Sequence, residues 1–341
     1  MDLEGFENLL AQEPKYRLVQ AKKALFQDLI ENWNQAVALP LSLRERLDKE
    51  CPLEITAKTF VAQDTVKALL TLEDGLKIET VLMRHGSTGS PQATRNTVCV
   101  SSQVGCPLGC SFCATGRMGF KRNLGSPEIV AQVLFFARYL KKLKEKVTNI
   151  VFMGMGEPFL NYQNVIGAIR TLNDPTGFHS GARHFSISTV GIAEGGIAEL
   201  AKEKLQINLA VSLHAPNDEL RSQIMKINEK YSIRRVLDAV DDYIKKTKRR
   251  VMFEYIMIKD VNDSAKEAEE LAKLMKKPLY FVNLISYNQT GIFKPSSPAK
   301  IKRFKEILEQ AGVAVTQRYR FGREVEGACG QLATGDKIDT A

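Results

Sequence analysis

The hydrophobic and polar positions of this chain fall into three successive rhythms. Over residues 1–50, Leu18, Leu25, Leu29 and Ile30 recur among Arg17, Lys22, Lys23, Asp28 and Glu31 at helical spacing, which predicts amphipathic helices. Pro40-Leu-Ser-Leu-Arg-Glu-Arg-Leu restarts a short helix, for which Ser42 is the expected N-cap. Between 55 and 83 the pattern turns to β. Ile55–Val61, Thr65–Leu72 and Lys77–Met83 read as strands, with Glu73-Asp-Gly75 as a hairpin turn between the last two. From Arg84 to Asn96 the chain is polar and rich in Gly, Ser and Pro, as in a surface loop.

From Thr97 onward short β runs alternate with helical ones. Strands are expected at 97–103, 148–153, 184–189, 207–213, 250–258 and 280–286, and helices near 127–145, 162–173, 194–204, 232–246, 264–276 and 298–311. Ser126-Pro-Glu128 reads as the N-cap, N1 proline and acidic first turn of the first helix. Repetition of this kind means parallel strands joined by right-handed crossovers. Six units fall short of the eight that close a TIM barrel. The pattern therefore predicts an α/β fold, an open, partial (β/α)6 barrel whose gap could admit a bulky substrate. The expected division is a helical accessory domain at 1–50, a β-hairpin extension and linker at 51–96, and the barrel at 97–341.

Candidate chemistry sits at the ends of these strands, where α/β barrels build active sites. Cys106-Pro-Leu-Gly-Cys110-Ser-Phe-Cys113 follows the first strand. Thiolates are soft ligands for iron–sulfur clusters, zinc or copper. A [4Fe–4S] cluster normally takes four cysteines, so three leave one iron open. Zinc would need a fourth ligand nearby, and the next His, His179, is far off in sequence. Gly154-Met-Gly-Glu-Pro158 follows the second strand, with glycines that let a ligand approach the backbone. Glu157 and the local carbonyls could receive an ammonium group there; the plainer reading is a β-turn with a surface Glu. Ser188 ends the third strand, Ser212 to His214 end the fourth, and Asn288 follows the sixth. Of the other cysteines, Cys51 reads as a small buried hydrophobe, and Cys99 and Cys329 would read the same way in isolation.

Charge adds a partner class. The net charge is +9 with pI ≈ 9.1, which suggests a polyanion. Basic clusters lie at Lys121-Arg122, Lys141 to Lys146, Lys245 to Arg250 and Arg318 to Arg323. Each alone suits a solvated helix face. Arg318 to Arg323, interleaved with Tyr319 and Phe321, is the best candidate for phosphate contacts and base stacking. No apolar run is long enough to span a membrane, and the first residues lack a signal-peptide pattern. Six cysteines, half of them in one tight turn, argue for a reducing compartment, so a cytoplasmic protein is expected.

The motifs together resemble those of the radical S-adenosylmethionine adenosine methyltransferases that act on 23S rRNA. The likeness rests on Cys99-Val-Ser-Ser-Gln-Val-Gly-Cys106, Gly119-Phe-Lys-Arg-Asn-Leu124, Gly154-Met-Gly-Glu-Pro158, Ser212-Leu-His-Ala-Pro-Asn-Asp218 and Ala328-Cys-Gly-Gln-Leu332, and it runs from about Tyr16 to Ala333. That family has a C2-methylating branch (RlmN), which also modifies tRNA, and a C8-methylating resistance branch (Cfr). Gly156-Glu-Pro-Phe-Leu-Asn161 and Ser101-Ser-Gln-Val-Gly-Cys106 look more like the C2 branch. Two other classes are a radical enzyme that activates a protein, against which Cys99 and Cys329 argue, and an RNA-binding module with a structural metal.

The resemblance implies a specific set of roles. Cys106, Cys110 and Cys113 would hold a [4Fe–4S] cluster, and Gly156, Glu157, Ser188, Ser212, Leu213, His214 and Asn288 would line the S-adenosylmethionine site. Cys329 would be methylated by one S-adenosylmethionine. A second, cleaved by the reduced cluster, would give a 5′-deoxyadenosyl radical that takes a hydrogen from that methyl group. The carbon radical would add to adenine, Glu79 would accept the ring proton, and Cys99 would release the product and leave a disulfide. Two S-adenosylmethionine molecules per turnover, an electron donor such as flavodoxin or ferredoxin, 23S rRNA and tRNA as substrates, an RNA-binding N-terminal domain and a monomer complete the expectation. The target base would be splayed out of its stack to enter the site.

Overall fold

The computed structural model describes residues 3–86, 95–318, 322 and 325–334. Three helices open the chain: α1 (Leu3–Ala11), α2 (Lys15–Phe26) and α3 (Leu41–Glu50). Phe6 stacks on Trp33 at 5.5 Å, and Leu10, Leu25 and Leu47 are buried in the same apolar core that continues into the rest of the chain. Ser42 is not the N-cap of α3. That position is Pro40, whose carbonyl accepts the Arg44 N–H at 3.0 Å, and Ser42 lies inside the first turn. Lys22–Asp174 and Lys142–Glu31 ion pairs, at 3.4 and 2.8 Å, tie the helices to the remaining chain.

Four antiparallel strands follow, β1 (Ala57–Val61), β2 (Thr65–Thr71), β3 (Lys77–His85) and β4 (Arg95–Cys99). The expected Glu73-Asp-Gly75 turn joins β2 to β3, with Gly75 at φ +80°, a conformation that glycine adopts without strain. The expected strand at 97–103 is two pieces. β4 stops at Cys99, the N–H groups of Val100 and Ser102 turn to Val151 and Met155, and β5 (Gln103–Gly105) pairs instead with β6 (Phe120–Asn123) around the short helix α4 (Ala114–Arg117).

Thereafter α5 (Ser126–Lys142), β7 (Asn149–Phe152), α6 (Tyr162–Asn173), β8 (Phe185–Thr189), α7 (Ala198–Leu200), β9 (Asn208–Ser212), α8 (Asp218–Ile224), α9 (Ile233–Thr247), β10 (Val251–Met257), α10 (Ala265–Met275), β11 (Tyr280–Ser286), α11 (Pro298–Gln310) and β12 (Val315–Gln317) complete the order. One sheet runs β1-β2-β3-β4-β7-β8-β9-β10-β11-β12. It is antiparallel up to β4 and parallel from β4 to β12. Six crossovers with helices on one path make the expected open (β/α)6 barrel, and β12 adds a seventh parallel strand. The central strands turn one apolar face to the core, where Ile150, Phe185, Ile187, Leu209, Val211, Phe253 and Val282 are buried in register. The opposite face carries Ser186, Ser188, Ser212, Glu254 and Asn283.

Two local expectations change. The N-cap of α5 is Gly125, not Ser126, and its N–H donates to Glu128 Oε2 at 2.8 Å. The helix expected at 194–204 shrinks to α7, because Glu194 and Gly195 leave helical geometry. Gly196 there packs so closely that a Cβ would meet Phe159 at 2.6 Å.

Candidate active site

The cysteine loop is a tight structure between β5 and α4. Gly105, at φ +75°, lies where a Cβ would sit 1.8 Å from the Gly119 carbonyl, so the bend requires glycine. Cys106 N–H donates to that carbonyl at 2.9 Å, Cys113 N–H to Cys110 at 3.1 Å, and Ser111 N–H to Ile224 of α8 at 3.1 Å. Cys106 and Cys110 are buried and Cys113 is half-buried. Burial pushes the Cys106 thiol up to about 12 and Cys110 higher still. Such thiols ionise only when a cation is supplied at the site.

The loop opens on a cavity of about 160 Å³ lined by Cys106, Cys110, Cys113, Gly156, Glu157, Ser188, Ser212, His214 and Cys329. Gly156, at φ +98°, leaves room for Gln103, which a Cβ would approach to 2.5 Å. Gln103 Oε1 accepts the Glu157 N–H at 2.9 Å. The Glu157 carboxylate accepts N–H groups from Phe159 at 3.0 Å and Val190 at 2.8 Å. Burial raises it from the usual carboxylate range to about 7, against those two bonds. Ser188 and Ser212 bring their hydroxyls within 3.5 Å of each other.

His214 is held in a left-handed conformation, φ +61°. Its carbonyl accepts Asn262 Nδ2 at 2.8 Å and its Nδ1 accepts the Ile256 N–H at 3.2 Å. That bond leaves Nε2 as the protonated nitrogen. Burial lowers its pKa to about 3, so the imidazole is neutral and presents one donor. Phe112 of the cysteine loop meets its ring edge-on at 5.0 Å.

Not every expected residue lines this cavity. Leu213 is buried outside it, and its carbonyl accepts Arg221 Nε at 3.1 Å. Asn288 lines a second, smaller cavity of about 30 Å³ together with Cys99, Arg318 and Cys329, and its Nδ2 donates to the Cys329 carbonyl at 3.2 Å. Cys329 therefore borders both cavities, with Cys99 on the smaller one. Burial raises the Cys99 thiol to about 12. Glu79 lines neither. It pairs with Lys67 at 2.9 Å and accepts the Ala333 N–H at 2.8 Å. Arg318 is turned inward, bordering both cavities with Nη1 3.4 Å from Met153 Sδ, so it is not the surface phosphate contact the basic cluster suggested. Arg320, Tyr319, Phe321 and Arg323 lie outside the described residues.

A sequence model of the Radical SAM superfamily matches residues 100–275. A protein of Dictyoglomus turgidum called probable dual-specificity RNA methyltransferase RlmN is 44% identical over 324 residues, 94% of this chain and 91% of its own. A Nitrosopumilus maritimus protein called ribosomal RNA large subunit methyltransferase N is 44% identical over 326 residues, 94% of this chain and 93% of its own. The crystal structure of a radical SAM methyltransferase from Sphaerobacter thermophilus superposes with a TM-score of 0.91 at 42% identity, covering 98% of both chains. The chain belongs to the RlmN family of radical SAM methyltransferases.

Membership in this radical SAM family implies a [4Fe–4S] cluster and S-adenosylmethionine, and the donor set fits them. Among the described residues no three His, Cys, Asp or Glu side chains converge on a single metal ion. The three thiols instead share the wall of one larger cavity, as a multi-iron group with an open iron requires. Two further residues at or behind this cavity carried no motif in the sequence. Glu254, the lone acid of an apolar strand, lines the cofactor cavity and accepts Asn283 Nδ2 at 2.9 Å; its isolation among apolar neighbours was the available signal. Arg221 is wholly buried. It donates to Leu213, Val190, Tyr231 and Asn228 at 2.6–3.1 Å, binding the ends of β8 and β9 from behind. Its acceptors are mostly backbone carbonyls, which leave no trace in a side-chain pattern.

Proposed function

We propose that this chain methylates C2 of an adenosine in 23S rRNA and in tRNA, using Cys329 as the methyl carrier and two S-adenosylmethionine molecules per turnover. The observation that carries this reading is the position of Cys329, at the partition between the cofactor cavity and a smaller one that also holds Cys99. A thiol in that place can take a methyl group on one side and present it on the other.

Cys106, Cys110 and Cys113 would hold the cluster, and Gly156, Glu157, Ser188, Ser212 and His214 would hold S-adenosylmethionine. When bound, these groups supply one-electron cleavage to a 5′-deoxyadenosyl radical, which a non-nucleophilic ring carbon needs. The protein residues do the remaining work. Glu157 accepts hydrogen bonds with lone pairs left after Phe159 and Val190, and neutral His214 donates from Nε2. Asn288 fixes the backbone of Cys329, while Leu213 supports its neighbours from behind. Glu79 takes the ring proton: the C–H bond breaks, an O–H bond forms, and the bonding pair stays with the ring. The Cys99 thiolate attacks the Cys329 sulfur, and the S–S bond forms as the carbon–sulfur bond breaks. The pair of the broken bond goes to the departing carbon, which takes up a proton to become the product methyl. The one electron left by radical addition would return to the cluster and donor system. A cycle that ends in a disulfide suits the reducing cytoplasm, with flavodoxin or ferredoxin as donor and a monomer as the working form.

RNA binding falls to the N-terminal helical domain at 1–50, the strands of 51–96 forming the wall beside the barrel at 97–341. Exposed Tyr16, Val19, Val37 and Leu41 support this assignment, flanked by Lys15 and Lys23 on the exposed side of α2. The test is expression in a strain without its own enzyme, followed by mass spectrometry of nucleosides from purified rRNA and tRNA. 2-Methyladenosine in both, lost with Cys329→Ala, is the expected result. 8-Methyladenosine would move the chain to the resistance branch, and neither product from cluster-loaded protein would overturn the reading.

A further inference from the structure

We propose that Lys67 is a positioning residue that holds Glu79 aimed at residues 325–334, so that the same carboxylate latches this C-terminal strap and then takes the ring proton. The inference rests on the roles given above to Glu79 and Cys329, and extends them to a residue that lies in no motif.

The register of the β2–β3 hairpin sets the pair. Glu79 is opposite Leu69, and Lys67, two residues from Leu69, is its diagonal neighbour on the same face. The Lys67 and Glu79 side chains are only 5% and 2% exposed and meet at 2.9 Å. The Phe60 ring, 5.2 Å from Lys67 Nζ, is a second partner for the ammonium. A lysine so deeply buried is costly unless it faces a carboxylate. The dependence runs the other way as well. The Glu79 carboxyl stands above the usual carboxylate range: burial raises it most, the Lys67 ion pair and the Ala333 N–H oppose that rise, and the nearby Glu326 charge adds to it. Without Lys67, the carboxylate would face burial and Glu326 with a single neutral donor. A protonated Glu79 cannot accept a proton from substrate.

The second oxygen of Glu79 reaches the strap. Ala333 N–H donates to it at 2.8 Å, across 254 residues of sequence. The other strap contacts are neutral: Ala114 N–H to the Gly330 carbonyl at 2.8 Å, Thr115 Oγ1 to the Leu332 carbonyl at 2.6 Å, Asn288 Nδ2 to Cys329 at 3.2 Å, and Gln331 Nε2 to Gln289 at 3.2 Å. A charge-assisted bond is about twice as strong as a neutral one, so Glu79 contributes more than its share. Proton capture at Glu79 removes the charge that both Lys67 and Ala333 face, which loosens the strap once the ring proton has left the substrate.

The experiment compares the full-length, cluster-loaded wild type with Lys67→Met, Lys67→Gln and Lys67→Arg at matched circular dichroism. Hydrogen exchange is read on peptides covering 325–334. Methylation of Cys329 and of RNA are measured separately across pH. Both neutral variants are expected to raise strap exchange and to lower the ratio of RNA methylation to Cys329 methylation, each about tenfold, with the acid limb of RNA methylation moved to higher pH. Lys67→Arg, which keeps the charge facing Glu79, should be less impaired than either neutral variant. Wild-type exchange and an unmoved pH profile in whichever neutral variant folds would overturn the proposal, as would an Arg variant as impaired as the Met variant. Failure of the wild type to form methyl-Cys329 would instead count against the methyl-carrier reading, and the strap exchange would still judge Lys67.

Discussion

The two regions that meet at Cys329 are built by opposite rules. The cofactor side is a cup made from the ends of β7, β8, β9, β10 and β11 with the cysteine loop, and buried polar side chains brace it from behind. Gln103 holds the Glu157 backbone. Asn161 bridges the Ser102 and Leu124 carbonyls at 2.8 and 2.7 Å. Asn262 joins His214 to Ile256, and Arg221 binds β8 to β9. The strap at 325–334 contains neither helix nor strand; Val325, Ala328 and Leu332 are buried, but among the described residues few hydrogen bonds tie it to the barrel. Buried, fully satisfied networks rigidify, whereas segments with few contacts open first. Under the proposed function, the cup would hold a cofactor in one pose and the arm would present a methyl group in two places, and the two tasks call for this difference.

The comparison breaks most completely at Cys329 itself. Cys329→Ala should abolish RNA methylation while leaving the iron–sulfur absorbance of the loaded protein unchanged, read by nucleoside mass spectrometry and visible spectroscopy. Loss of the cluster along with the activity would mean that strap and cup are one structural unit.

The next effect lies in the cup. Arg221→Met removes the donor from several buried carbonyls at once, and each unsatisfied buried group costs roughly 1–3 kcal/mol. We expect a loss of at least about 3 kcal/mol and a melting temperature lower by 5 °C or more. A Tm within 2 °C of wild type would show that the ends of β8 and β9 do not depend on it.

How far these two regions were legible in the sequence follows from the same physics. Parallel strands with a continuous apolar face and helices with one apolar face repeat strongly enough to give all six crossovers and the open barrel. The cysteine spacing and the strand-end motifs located the cup. β12 was missed because three residues carry no period, and α7 was overestimated because Gly195 and Gly196 break a pattern that otherwise reads as helical. Leu213 was grouped with Ser212 and His214 by motif, yet β9 ends at Ser212 and the Leu213 side chain packs in the core instead of lining the cavity. Arg221 and the Lys67–Glu79 pair depend on contacts between distant segments. Only the second could have been read locally, by writing out the register of the hairpin.

A smaller effect sharpens the comparison through pH. The folded pKa of Glu157 is raised to about 7, above its unfolded value, so the folded state binds the extra proton. Stability from this group is present below the unfolded carboxylate pKa and is lost as pH rises through about 7, by up to about 3 kcal/mol. Thermal melts of the metal-free protein should therefore fall between pH 5 and 7.5, and Glu157→Gln should flatten that portion of the curve. An unchanged slope in the Gln variant would place the titration elsewhere.

The smallest effect separates arm from cup most cleanly. Thr115 donates from Oγ1 to the Leu332 carbonyl at 2.6 Å, from a buried position on α4. Thr115→Val keeps the shape and removes that donor, at a cost of about 1–2 kcal/mol, or five- to thirtyfold in the local opening equilibrium. Because the strap rests on so few bonds, this loss should be confined to it: exchange at 325–334 rises by that factor while the global Tm moves by less than about 3 °C. Binding of S-adenosylmethionine to the cluster-loaded protein should change little, since Glu157, Ser188, Ser212 and His214 are braced from the barrel side. Equal shifts in strap exchange and in cofactor affinity would show that the arm completes the cup, and the division drawn between them would have to be abandoned.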